Sequence, residues 1–155
     1  MPAKKLASKS PGASRVRAPK ATPRPAQHPP ISTLMIDRGG LYAGILRGET
    51  GEPDYRLYLA PEPKDLSLPW AKAMSYAKAF KSSALHDFTL PTRREQRLLW
   101  ANLPEHFDSA WYWSNEQYAG YSDYAWMQNF GNGNQYIVLK SLSYRVRLVR
   151  RVPIR

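Results

Sequence analysis

The chain contains no cysteine, which excludes a disulfide framework, a thiolate metal site and a cysteine nucleophile. Histidine is scarce: His28, His86 and His106 stand singly, so neither a histidine-rich metal centre nor a histidine-based triad is expected. No apolar run approaches the roughly 20 residues needed to cross a bilayer, and no membrane span is expected. The basic N-terminus lacks the apolar stretch of a secretory signal, so the expectation is a protein made in the cytoplasm. Two further absences concern charge. Residues 1–30 contain no acid, and residues 98–139 contain no Lys or Arg.

What is present fits around these gaps. The 155 residues suit one domain, and 43% are apolar, enough for a core. Of the net charge of +11, seven units lie in residues 1–30 (Lys4, Lys5, Lys9, Arg15, Arg17, Lys20 and Arg24), where half of the 14 prolines also fall. Such a segment cannot bury enough apolar surface to offset its ordering entropy, so residues 1–30 read as a disordered basic tail. Nucleic acid is one partner such a tail could hold. Residues 31–155, the expected domain, are nearly balanced, with 16 basic and 12 acidic side chains. Their middle is locally acidic, holding Glu105, Asp108, Glu116 and Asp123. A nucleic-acid groove interleaves aromatics with cations, and here the aromatic-rich part lacks them.

The pattern predicts α+β. Tyr42–Leu46 and Tyr55–Leu59 read as a hairpin around the turn residues Gly48–Asp54, ended by Pro61 and Pro63. Trp70, Ala73, Met74, Ala77 and Phe80 form one helical stripe, with Ser67 as N-cap and Pro69 in the first turn. Thr92-Arg93-Arg94-Glu95 has the spacing of a capping box. The helix it opens carries Leu98, Leu99 and Leu103 and stops before Pro104. In this reading Glu95 is a cap, and Arg93 and Arg94 form a solvated or salt-bridged face. Strands follow at Trp111–Ser114, Ala125–Phe130, Gln135–Lys140 and Tyr144–Arg150, with a turn at Gly131–Asn134.

The ordered set Leu90-Pro91-Thr92-Arg93-Arg94-Glu95, Tyr112-Trp113-Ser114, Ala125-Trp126, Asn129-Phe130, Gly133-Asn134-Gln135 and Val146-Arg147-Leu148-Val149-Arg150 resembles a domain-of-unknown-function family. That family is typified by the C-terminal domain of bacterial collagen-like adhesins. The resemblance covers roughly residues 40–152. It implies a C-type-lectin-like fold and binding rather than catalysis. Similar domains occur in phage and prophage proteins, and related folds serve as variable proteins of diversity-generating retroelements. The calcium-binding tripeptides of lectins are not at their usual places. Glu52-Pro53-Asp54 is similar on paper but sits in a turn, so no metal or other cofactor is expected. Formylglycine-generating enzymes share the broad fold but rely on cysteines.

Seven aromatics crowd residues 111–126: Trp111, Tyr112, Trp113, Tyr118, Tyr121, Tyr124 and Trp126. The tryptophans fall in strands and read as core. Tyr118, Tyr121, Ser122, Asp123 and Tyr124 form a loop of the composition used by adaptable paratopes. Asn129, Asn132, Asn134 and Tyr136 make a second strip, with Ser141 beyond it. If the two loops share one end of the fold, they form one patch for a protein or glycan ligand. No pair of groups with the spacing of an acid–base site is legible: Glu116 and Asp123 read as solvated, and Ser114 has no histidine or elbow glycines nearby. The readings carried forward are a non-enzymatic binding module, a nucleic-acid partner held by residues 1–30, and a hydrolase using Glu116 and Asp123. The oligomeric state is not legible.

Overall fold

A computed structural model describes residues 28–155. The basic tail read at residues 1–30 therefore lies outside the described residues, apart from its last three. Among the described residues the architecture is α+β, with nine strands, two α-helices and two 3-10 turns. The strands form two sheets, an arrangement compatible with a C-type-lectin-like fold.

The first sheet has the order β1-β2-β3-β9. It comprises β1 (Leu34–Met35), β2 (Gly40–Leu46), β3 (Tyr55–Leu59) and β9 (Val149–Pro153). The β2–β3 hairpin falls where the alternation and turn residues place it, with a register shift between Tyr42 and Gly44. Gly40 opens β2 at φ +143°, and a Cβ there would lie 1.9 Å from the Leu59 carbonyl oxygen, so glycine alone fits. The second sheet has the order β4-β8-β5-β6-β7. It comprises β4 (Ser67–Pro69), β8 (Ser143–Arg145), β5 (Trp111–Gln117), β6 (Tyr124–Asn129) and β7 (Gln135–Leu139).

The helices cover opposite faces of the second sheet. Helix α1 (Trp70–Ala79) lays Ala73 and Ala77 on Trp113, Ala125 and Met127, in a core completed by Phe88, Leu90, Val146 and Leu148. Helix α2 (Arg93–Asn102) lays Leu99, with Leu103 just beyond it, between Tyr112 and Phe130 of the second sheet and Ala43, Leu57 and Leu59 of the first. Period-2 alternation explains the division: Trp113 and Met127 face α1, while their neighbours Tyr112 and Gln128 face α2. Helix α2 begins as its spacing predicts. The Thr92 hydroxyl accepts from the Glu95 N–H and the Glu95 carboxylate from the Thr92 N–H, a closed capping box.

Two sequence expectations are corrected. Ser67 is not an N-cap; Ser67–Pro69 is a strand paired to Ser143–Arg145. Pro69 occupies the cap position without a side-chain bond, and the Trp70 N–H is satisfied by the Lys140 carbonyl at 3.0 Å. The stretch Tyr144–Arg150 is not one strand. It leaves the second sheet after Arg145 and enters the first at Val149. Val146 and Leu148 drop into the α1 core. Alternation persists through the crossing because the chain stays extended; its hydrogen-bond partners change sheet.

Candidate functional site

The β5–β6 hairpin builds the surface. Its loop is tied at the base: Tyr118 N–H donates to the Tyr124 carbonyl, Tyr124 N–H to the Tyr121 carbonyl, and Lys140 N–H to the Asp123 carbonyl, at 2.9, 3.1 and 2.8 Å. On this frame the tyrosine rings form a row. Tyr124 and Tyr121 lie 5.8 Å apart, Tyr121 and Tyr118 6.0 Å, and Tyr118 and Trp126 5.8 Å, inclined by 51°, 43° and 81°. Tyr121 is 65% exposed; Tyr118, Tyr124 and Trp126 are half-buried. Ser122 and Asp123 are exposed and line a shallow hollow of about 440 Å³ with Leu139, Lys140 and Ser141.

Sequence reasoning missed the far end of this row. Trp126, read as core, is instead covered by Arg93, whose guanidinium lies 3.5 Å above the indole. Arg93, read as part of a solvated or salt-bridged face, is held there. Its Nε donates to Gln135 Oε1 at 3.1 Å, and Gln135 Nε2 donates to the Arg93 carbonyl and to Gln128 Oε1, both at 2.8 Å. Gln128 Nε2 in turn donates to the Gln96 carbonyl at 2.9 Å. Glu116 accepts the Arg93 N–H at 2.6 Å. The available signal was parity: Trp126 shares a face with Gln128, and that face meets the start of α2.

The two strips named from the sequence are not brought together. Tyr118–Asp123 precedes β6 and Asn132–Asn134 follows it, so the length of β6, about 17–20 Å, separates them. Consecutive turns of a meander lie at opposite ends. Asn129 Oδ1 accepts from the Gly131 and Asn132 N–H groups at 2.7 and 3.3 Å. Asn132 Oδ1 accepts from the Asn134 N–H at 2.9 Å. Asn129 and Asn132 thus hold the turn. Tyr136 is 66% exposed, but it sits opposite Met127, on the face away from Trp126. Asn134 is exposed at the turn.

A second cleft of about 320 Å³ lies between the β2–β3 turn and α2, lined by Pro53, Tyr55, Thr92, Arg94, Arg151 and Pro153 among others. Its floor is structural. The Glu95 carboxylate is fully buried and takes Tyr55 O–H at 2.8 Å and both Nε and Nη2 of Arg151. Burial and the Glu95 charge push the Tyr55 phenol well above its ordinary range, so Tyr55 stays protonated near neutrality. The Ser114 hydroxyl is buried and donates to the Trp126 carbonyl at 2.7 Å. Asp54 of the Glu52-Pro53-Asp54 turn accepts from the Gly48 N–H at 3.0 Å. Among the described residues, no group of three or more His, Asp or Glu is placed to hold a metal ion, and no helix is long and apolar enough to cross a membrane.

No curated protein matches the chain. The family model of the Lcl C-terminal domain matches residues 49–150, from the β2–β3 turn into β9, and carries the capping box, both helices and the tyrosine-bearing hairpin. That is most of the sequence, and the chain belongs to the Lcl C-terminal domain family.

Proposed function

We propose that the protein is a non-enzymatic recognition module whose ligand, a protein or a glycan, seats on Tyr118, Tyr121, Tyr124 and the Arg93–Trp126 pair. Membership of the Lcl C-terminal domain family is consistent with a ligand-binding, adhesin-like module. The observation that carries the finer reading is the row of rings on a tied hairpin, with Tyr121 65% exposed. Exposed aromatics on a rigid frame bind at low entropy cost, because their apolar area is large and their torsions few. The polar side chains Ser122 and Asp123 beside them supply directional bonds.

The test is a glycan and protein array probed with the full chain and repeated with Tyr121→Ala and Tyr124→Ala. Truncating a central aromatic anchor should weaken the captured ligand by about 1–3 kcal/mol, roughly fivefold to 150-fold, with the thermal midpoint unchanged. Undiminished binding by both variants removes the hairpin from the site.

The resemblance to variable proteins of retroelements extends this reading to a diversified recognition surface in a phage or prophage. Its check is genetic: a reverse-transcriptase gene beside the coding region, with a near-copy of the 3′ end differing at adenines. Their absence leaves an undiversified binder.

A further inference from the structure

We infer that two copies of the chain pair along the outer edge of β7, antiparallel about Ile137, and so join their second sheets into one. This pairing stands or falls apart from the ligand site.

The first support is the backbone. Asn129 N–H donates to the Asn134 carbonyl and Lys140 N–H to the Asp123 carbonyl, both at 2.8 Å. With the unbroken register between them, these bonds turn Tyr136 and Val138 toward β6 and leave the Gln135, Ile137 and Leu139 backbone facing outward. Strand β7 ends its sheet, so those N–H groups meet no strand among the described residues. The other sheet edges are blunted. Strand β1 is two residues long. On β4 the outward residues are Ser67 and Pro69, and Pro69 has no N–H. On β9 they are Val149, Arg151 and Pro153. Val149 is bonded both ways to Thr89, at 2.8 and 2.9 Å, and Pro153 again lacks a donor. Strand β7 carries none of the usual protections: no proline, no charge and no bulge.

The second support is self-complementarity. A two-fold axis through Ile137 sets outward residues opposite outward residues. Each Ile137 N–H meets the partner's Ile137 carbonyl, and each Leu139 N–H the partner's Gln135 carbonyl. Tyr136, exposed on the face away from Trp126, falls opposite the partner's Val138, an aromatic and β-branched pair of the kind that stabilises adjoining strands. Charge points the same way. The chain carries a net +11, so its copies repel over most of their surface. Residues 124–139, which span β6 and β7, hold no charged side chain. The cations beside them are engaged: Lys140 Nζ donates to Gln117 Oε1 at 2.6 Å, and Arg93 lies on Trp126. A second β7 therefore meets this edge with no like charges opposed. Trp126 lies opposite Ile137, so the pairing sets both ring clusters on one sheet face. Their Trp126 backbones stand three strand spacings, about 14 Å, apart.

Sedimentation of the full chain between about 5 and 200 μM should show a monomer–dimer equilibrium, since a short edge makes a small interface. Tyr136→Lys, at an exposed position, should weaken the dimer about tenfold or more. The chain has no cysteine, so a single introduced thiol reports the register. The paired Ile137 Cα atoms stand about 5.5 Å apart, within disulfide range, whereas the two Tyr136 Cα atoms lie diagonally, about 8 Å apart and outside it. Mild oxidation should link Ile137→Cys copies about tenfold or more faster than Tyr136→Cys copies. A monomer at every concentration, an assembly larger than a dimer, or a dimer indifferent to Tyr136→Lys overturns the pairing. Equal cross-linking of the two thiols overturns it as well, and that comparison decides alone if Tyr136→Lys fails to fold. A monomer that still holds its array ligand through Tyr121 sinks the pairing and leaves the ligand site standing.

Discussion

Glu95 shows how much one side chain can carry. It is fully buried and ionisable, which is costly unless every lone pair finds a donor. Here Thr92 N–H, Tyr55 O–H and the Arg151 guanidinium supply them. One carboxylate thus caps α2 and ties it to β3 and β9. Glu95→Ala should destabilise the protein by about 3 kcal/mol, the low end for breaking a buried pair because Arg151 is partly exposed. Thr92→Ala, which removes only the cap acceptor, should cost about 1 kcal/mol. Urea unfolding at neutral pH measures both, and equal losses would contradict the second role of Glu95. The capping role was legible, since Thr92 and Glu95 are three residues apart. The pairing with Arg151 was not, because 56 residues separate them and nothing local links the two.

At the scale of elements, turns were the most legible feature and strand partners the least. Gly131–Asn134 announced the β6–β7 turn by composition. The structure adds the reason for one of its glycines. Gly133 has φ +78°, and a Cβ there would lie 2.8 Å from the Trp100 ring. Gly133→Ala combines a left-handed backbone with a clash against a half-exposed indole, and should cost about 1–3 kcal/mol. Thermal unfolding would show it, with Trp100 fluorescence reporting the displaced ring; an unchanged midpoint would mean that the turn relaxes freely. The single strand expected over Tyr144–Arg150 divides between two sheets. Period-2 alternation records only that a chain is extended between two environments. It is silent on which strand lies beside it, and for the same reason β4 passed for the run-up to a helix.

At the scale of the whole molecule, the crossing between sheets is held by a buried pair. Arg147 donates to the His106 and Ala60 carbonyls at 2.5 and 3.0 Å. The Glu62 carboxylate accepts from the Leu148 N–H and from Tyr76 O–H, the latter at 3.0 Å. These bonds join α1, the β3–β4 connection and the β8–β9 crossing. Burial outweighs those bonds and the Arg147 charge and pushes the Glu62 carboxyl up to about 7 from 4.5. Since the folded-state value is the higher one, the folded protein binds a proton that the unfolded chain releases between these limits. This contribution to stability is full below about pH 4.5 and is lost as pH rises through about 7. Denaturation midpoints should therefore rise on mild acidification from pH 7.5 to 5, by up to about 3 kcal/mol from this group. Glu62→Gln should flatten that slope. A slope unchanged by the substitution would place the titrating group elsewhere.

The sequence by itself determined the α+β composition, both helices, the capping box, the hairpin turns and the presence of a tyrosine-bearing loop. Each of these is written in neighbours within about four residues, the range over which propensity, capping and periodicity act. Tertiary structure decided which surfaces those elements share. It put the tyrosine loop and the asparagine turn at opposite ends of β6, turned Tyr136 to the far face, and laid Arg93 over Trp126. These outcomes follow from strand pairing and helix docking between residues far apart in the chain. Their energies depend on partners that no local pattern names.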